Sequence, residues 1–313
     1  MARLKVMFMG AGTLACPLLE GLLAAGRDDV VAVVTPPDRA AGRGLQCRAC
    51  PLKPLAARAG LPVLAPEDVN DDAVLSPLMA FAPDVIVVAC FGQFLKRRLL
   101  DIPRLGAINV HPSLLPRYRG ASPIQWTLAN GEAESGVTVL YVTPKMDAGD
   151  VLAQERVAIN PDEAAPELEA RLAVLGASLL VRVLDDFRAG RTQGIPQDES
   201  LATYAPKLAK EDGQVDWTHP ADVIRNRLRG FFPWPGAYTL LPNGTLLKIH
   251  AMHVEAGHGA PGTVLDAGAD GPLIAAGTGA VRLTQVQPAG RKSMPGGAFL
   301  RGHRLQPGDR LGG

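Results

Sequence analysis

Cysteine is scarce in this chain: Cys16, Cys47, Cys50 and Cys90 are the only four in 313 residues. So few cannot staple a chain of this size, which argues against a disulfide-built scaffold. Cys47 and Cys50 have Cys-x-x-Cys spacing, but no second Cys-x-x-Cys or Cys-x-x-His completes a four-ligand set, and no metal is expected. An excess of charge is missing too. The formal net charge is +1, so any contact with nucleic acid must come from local basic patches and not from the surface as a whole. No apolar run reaches the roughly 20 residues of a membrane-spanning helix. The first ten residues lack the apolar core and cleavage site of a secretory leader. Repeats and low-complexity tracts are absent. The expectation is a soluble, cytoplasmic, monomeric protein with no membrane partner. Apolar residues make up 47% and charged residues 20%, enough core for a folded chain, and the length suits two domains.

The first half alternates strand-like and helix-like segments. Val30–Val34 and Val85–Ala89 are apolar throughout, as in strands of a parallel sheet covered on both faces. Residues 4–9, 106–110 and 136–142 are further strand candidates; residues 14–25, 71–81 and 122–130 have helical patterns. The order predicts an α/β fold, a Rossmann-like, doubly wound, mostly parallel sheet, whose ligand should sit beyond the carboxyl ends of the strands. A helix over 166–187 closes this region, with Leu168, Leu172, Leu175, Leu179 and Val183 on one face. Residues 189–203 show no period and read as linker. After a helix over 220–229 come short strands parted by glycine turns, which predicts a small C-terminal β-barrel, OB-like in type. The expected division is 1–188, a linker over 189–206, and 207–313.

The most informative run is Gly106-Ala107-Ile108-Asn109-Val110-His111-Pro112-Ser113-Leu114-Leu115-Pro116. On a strand, residues two apart share a face, so Ile108 and Val110 can pack inward while Asn109 and His111 project together. Pro112 cannot donate to a ladder and ends the strand. An amide and an imidazole are thereby held side by side where such sheets bind ligands. The pair suits stabilisation of a developing oxyanion and proton movement in acyl-type transfer. A strand-end histidine making only a structural hydrogen bond is the bland alternative.

The run continues as Arg117-Tyr118-Arg119-Gly120 and Ser122-Pro123-Ile124-Gln125-Trp126, followed later by Lys145-Met146-Asp147-Ala148-Gly149-Asp150. With Pro37-Asp38-Arg39, Gly42-Arg43-Gly44, Tyr204-Ala205-Pro206-Lys207-Leu208 and Pro233-Trp234-Pro235-Gly236, the chain resembles the folate-dependent formyltransferases. The likeness is nearest to those that act on methionyl-tRNA. It implies a catalytic domain over 1–188 that binds 10-formyltetrahydrofolate as formyl donor, and an initiator methionyl-tRNA acceptor contacted by the C-terminal domain. It implies a catalytic trio of Asn109, His111 and Asp147, and a folate-contacting loop of Ser113, Leu114, Leu115 and Pro116. Arg39, Arg43 and Lys207 are the implied tRNA contacts. A second basic set, Arg225, Arg227 and Arg229 with Arg291, Lys292, Arg301, Arg304 and Arg310, could give the second domain a positive face.

Two stretches depart from the family: Gly10-Ala11-Gly12-Thr13, and Leu45-Gln46-Cys47 where lysines are usual. The first fits a dinucleotide fingerprint, Gly-x-Gly-x-x-Ala, directly after a strand, but Thr35 and Pro36 stand where the ribose-binding acid belongs. Relatives that formylate amino sugars or hydrolyse formylfolate share the trio and stay open as alternatives. A non-catalytic RNA-binding module would have no use for the trio.

Overall fold

The apolar strand patterns produce a sheet whose winding sets the position of the site. A computed structural model describes residues 2–41, 46–48 and 50–312, and the chain forms two units. The first unit comprises Met1–Pro123, Glu134–Ala158 and Glu169–Ala205. Its main sheet holds β1 (Lys5–Gly10), β2 (Asp29–Val34), β3 (Val63–Leu64), β4 (Val85–Ala89), β5 (Ala107–His111), β6 (Glu134–Tyr141) and β7 (Val151–Ala158), in the order β7-β6-β5-β4-β1-β2-β3. The five strands from β1 to β5 run parallel; at one edge β6 runs antiparallel to β5, and β7 antiparallel to β6. From β1 the chain winds outward to β2 and β3, then returns past β1 to lay down β4 and β5. This is the Rossmann-like doubly wound order.

All five residues of β4 are buried, as expected of a central strand covered on both faces. The helices of this unit include α1 (Gly12–Ala25), α2 (Leu52–Arg58) and α3 (Asp72–Ala80); α4 (Pro123–Ala129) falls in the second unit from Ile124 onward, and α5 (Ala165–Arg188) belongs to the first from Glu169. Helix α5 buries Leu168, Leu172, Leu179 and Val183, as its period predicts, and adds Leu180, Leu184 and Phe187. Strand β7 carries no clear strand pattern in the sequence because the polar run Gln154-Glu155-Arg156 interrupts its apolar residues and none of its residues is fully buried. No described helix is long and apolar enough to cross a membrane.

The second unit comprises Ile124–Ala133, Ile159–Leu168 and Pro206–Gly313. Here β8 (Ala237–Leu240), β9 (Leu246–Glu255), β10 (Val264–Gly268), β11 (Gly271–Ala275) and β12 (Ala280–Pro288) form an antiparallel sheet in the order β8-β9-β12-β11-β10. Register shifts at Ile249–Met252 interrupt the long β9–β12 ladder, the kind of bulge that bends and twists a sheet. Helices α6 (Ala221–Gly230) and α7 (Gly296–Gly302) pack on it, over a core that includes Trp217, Leu247, Ile249, Val281, Leu283 and Phe299. Arg282 lies between Glu255 and Asp266, and its hydrogen bonds to those carboxylates raise its already high pKa further.

Candidate active site

Beyond the carboxyl ends of β4 and β5 lies a cleft of about 430 Å³, within the usual range for small-ligand sites. Its walls are mainly apolar, with Phe91, Phe94, Leu95, Leu140, Val142 and Met146 among them. Phe94 and Met146 are largely exposed, so apolar surface is open to a ligand. The residues Asn109, His111 and Asp147 all reach the same cleft. Register explains the first two: Asn109 lies between Val88 and Leu140, and His111 opposite Thr138. Three of the four described non-glycine residues with positive φ belong to this region, namely Cys90 (51°), Tyr118 (62°) and Asp147 (49°). Such conformations cost about 1–3 kcal/mol each and persist where the surroundings over-determine them. Cys90 is exposed at the cleft, but the protein packed around its thiol desolvates the thiolate and pushes its pKa up to about 12, with smaller contributions from Glu169 and Asp147. A thiol raised in this way stays protonated near neutral pH and lines the cleft as a neutral group.

The contacts of His111 fix its proton. Nε2 lies 3.0 Å from the Tyr118 carbonyl oxygen, which can only accept, so Nε2 carries a hydrogen. That leaves Nδ1 as the exchangeable nitrogen, 3.8 Å from Asp147 Oδ2. The same carboxylate accepts from the Gly120 backbone N–H at 2.9 Å and from Asn109 Nδ2 at 3.3 Å. Gly120, with φ 122°, lies so close to Ala205 that a Cβ would come within 2.6 Å of its carbonyl oxygen. Side chains of His111 and Asp147 are 5% and 13% exposed, so their interaction is little screened by water.

A set of residues that the sequence reading did not single out holds Asp147 in place. Gln197 Nε2 donates to the carbonyls of Asp147 (2.8 Å) and Gly149 (2.7 Å). Its Oε1 accepts from Arg119, whose guanidinium is fully buried and also grips the Glu199 carboxylate. Glu199 in turn pairs with Lys145 at 2.7 Å, at the start of the Asp147 turn. Gln197 and Glu199 come from the stretch expected to be a linker, where no periodicity marks them. Hydrogen bonds from Arg119 and then Lys145 hold the Glu199 carboxyl down to about 2, well below its ordinary 4.5. A depressed acid stabilises the fold above its unfolded pKa and loses that contribution as pH falls toward the folded one. Glu199→Gln should therefore lower the melting temperature at pH 6–7. The gap from the parent protein should narrow from about pH 4.5 downward and close toward pH 2, as thermal melts across that range would read. A gap unchanged down to pH 2.5 would count against the linkage.

The loop of Ser113, Leu114, Leu115 and Pro116 does not line the cleft. Its polar groups turn inward: Ser113 Oγ donates to the Arg117 carbonyl, Thr138 Oγ1 to the Ser113 carbonyl, and Gln154 Nε2 to the Leu115 carbonyl. These bonds shape the turn that follows His111. Gly10, Ala11 and Gly12 do not line the cleft either, and Thr35, where a dinucleotide enzyme would place an acid, is fully buried with its hydroxyl on the Pro36 carbonyl. Arg39 opens a short antiparallel pair, Arg39–Ala41 with Gln46–Arg48. Arg43 lies outside the described residues, and so does the expectation attached to it. Lys53, in the first turn of α2, is tied to Asp38 at 2.7 Å. Lys207 belongs to the second unit and is exposed.

The positive face expected of α6 is largely turned to structural use. Arg225 pairs with Asp162, Arg229 is half-buried against the Asn160 and Glu163 carbonyls, and Arg227 lies 5.9 Å from the Phe231 ring. Among the described residues no cluster of three or more His, Cys, Asp or Glu could hold a metal ion.

Two family models match the chain: Formyl transferase over residues 2–184, and Formyl transferase, C-terminal domain, over residues 207–304. A methionyl-tRNA formyltransferase of Geobacter sulfurreducens is 46% identical over 312 residues, covering 100% of this chain and 98% of that protein. Among solved structures, WlaRD, a sugar 3N-formyl transferase, superposes with a TM-score of 0.66 at 16% identity, covering 93% of this chain and 100% of its own. HypX from Aquifex aeolicus, in complex with tetrahydrofolic acid, gives a TM-score of 0.62 at 18% identity, covering 96% of this chain and 47% of that one. The chain thus spans about half the length of HypX, and at these identities the two structures share its fold.

Proposed function

The chain belongs to the formyl transferase family, and on that premise we propose that it moves the formyl group of 10-formyltetrahydrofolate to the amino group of methionine on initiator methionyl-tRNA. The observation that carries this reading is the meeting of Asn109, His111 and Asp147 at one apolar cleft. Its support for a tRNA acceptor, over an amino sugar or water, is the full-length likeness to methionyl-tRNA formyltransferases. In this reading residues 1–188 are the catalytic domain and 207–313 the tRNA-contacting domain, joined by 189–206. The cleft takes the folate, with the Ser113–Pro116 loop fixing its His111 side.

Transfer begins when the neutral methionine amine attacks the formyl carbon. A new C–N bond forms as the carbonyl electron pair moves onto oxygen. Asn109 Nδ2 donates to that oxygen. Because Nε2 of His111 is engaged by the Tyr118 carbonyl, Nδ1 is its one nitrogen able to donate to the oxyanion, and Asp147 holds the imidazolium there. The proton shed by the attacking nitrogen passes to the Asp147–His111 pair, which returns it to the departing folate nitrogen as the old C–N bond breaks. In this reading the Asn109 and His111 donors bind the oxyanion more strongly than the ground-state carbonyl, which is how they speed transfer.

Purified protein supplied with 10-formyltetrahydrofolate and charged initiator or elongator methionyl-tRNA should formylate the initiator selectively. Formate release without tRNA would point to a hydrolase, and formylation of a nucleotide-linked amino sugar to the other alternative. If Arg39, Arg43 and Lys207 bind phosphates, log affinity for tRNA should fall with log salt by about 0.7–0.9 per contact. A salt-insensitive affinity would remove them from the interface.

A further inference from the structure

We propose that Gln197, oriented by the buried guanidinium of Arg119, is a positioning residue that sets Asp147 against His111. The inference rests on the catalytic reading of Asp147 given above and goes beyond it to the element that aims the acid.

The orientation of the Gln197 amide is fixed chemically at both ends. Arg119 only donates, so the atom facing its Nε and Nη2, at 3.2 and 2.8 Å, must be the oxygen. Nε2 must then face the carbonyls of Asp147 and Gly149, which only accept. One amide thus joins two peptides of the turn whose left-handed residue is Asp147 itself. The same arginine anchors the turn by a second route. Its backbone N–H donates to the Thr203 carbonyl at 2.9 Å, and the next residue, Gly120, supplies the N–H that holds Asp147 Oδ2. Glu199 completes the frame by joining the Arg119 guanidinium to Lys145. Burying an arginine is costly unless its donors are all engaged. A cation buried completely behind an acid it does not touch directly is well explained if its task is to hold what holds the acid.

Gln197→Glu separates this role from general stability. The carboxylate still pairs with Arg119, so the buried cation keeps its partner. Toward the Asp147 and Gly149 carbonyls, however, it presents an acceptor where a donor stood, and the turn must shift. Expected is a fall in kcat of about 30- to 100-fold, the scale of an ångström-sized misplacement, with KM for 10-formyltetrahydrofolate changed less than about threefold.

The decisive measurement is the same substitution in the Asp147→Asn background. If Gln197 acts through the Asp147 carboxylate, the double variant should be no slower than Asp147→Asn alone. An equal further loss there would mean a merely structural role and overturn the proposal, as would a Gln197→Glu single variant with kcat within twofold of the parent. Near-normal turnover by Asp147→Asn is a different outcome: it would overturn the catalytic reading itself. Should Gln197→Glu fail to fold, Gln197→Met, which keeps the length and loses the donor, takes its place in both backgrounds with the same readings.

Discussion

Replacing His111 with alanine should lower kcat by about 1,000-fold while leaving KM for the folate donor within about threefold. The size follows from two losses at once. Removing one oxyanion donor costs about 2.7–4 kcal/mol, roughly 100- to 1,000-fold in rate, and proton transfer by a positioned side chain contributes about 100- to 10,000-fold. The two share one nitrogen here and so do not multiply in full. Asn109→Ala should cost about 100-fold, since it removes a donor and leaves the proton path in place. The folate KM should hold because the walls of the cleft, Phe91, Phe94, Leu95 and Val142 among them, are untouched by either change. Single-turnover formylation of methionyl-tRNA at saturating donor isolates the chemical step. Turnover within tenfold of the parent in both variants would defeat the assignment of this pair to the oxyanion.

How much of this was legible beforehand divides along physical lines. Strands β2 and β4 could be read because each carries an unbroken apolar run, the mark of strands in a sheet covered on both faces. The Asn109–His111 pair could be read because strand alternation puts residues two apart on one side. Asp147 could not be placed by periodicity: it is 38 residues from Asn109 and sits in a turn, so only the resemblance to formyltransferases linked them. Gln197 and Glu199 were invisible for a related reason. They make polar, long-range contacts from irregular chain, and a buried arginine such as Arg119 looks in sequence like any surface cation. Arg225 and Arg229 show the converse failure, since a basic helix face carries no mark of the Asp162 carboxylate and the Asn160 and Glu163 carbonyls that occupy it. Charge is legible in a sequence; the partner that neutralises it is not.

The last consequence turns on one missing methyl group. Gly149→Ala should reduce kcat by about 100-fold or more and lower stability by about 1–3 kcal/mol, the usual cost of forcing extra volume into a packed site. A Cβ at Gly149 would stand 1.9 Å from the Tyr141 carbonyl oxygen and 2.8 Å from its carbon, so one side must move. Tyr141 is poorly able to. Its N–H donates to the Asp150 carbonyl, its hydroxyl to the Thr192 carbonyl, its ring stacks on Phe187 at 6.2 Å, and it pairs with Ile108 in the sheet. The turn therefore yields, and two residues upstream it carries Asp147. Gly302→Ala is the matched control: a Cβ there meets nothing within 4 Å, so turnover and melting temperature should stay close to the parent's. Melts and kcat measured on the two variants together separate a general intolerance of alanine for glycine from a collision at this turn. A Gly149→Ala enzyme as active as Gly302→Ala would show that the turn can retreat without moving the acid, and that the close approach to Tyr141 has no part in setting the site.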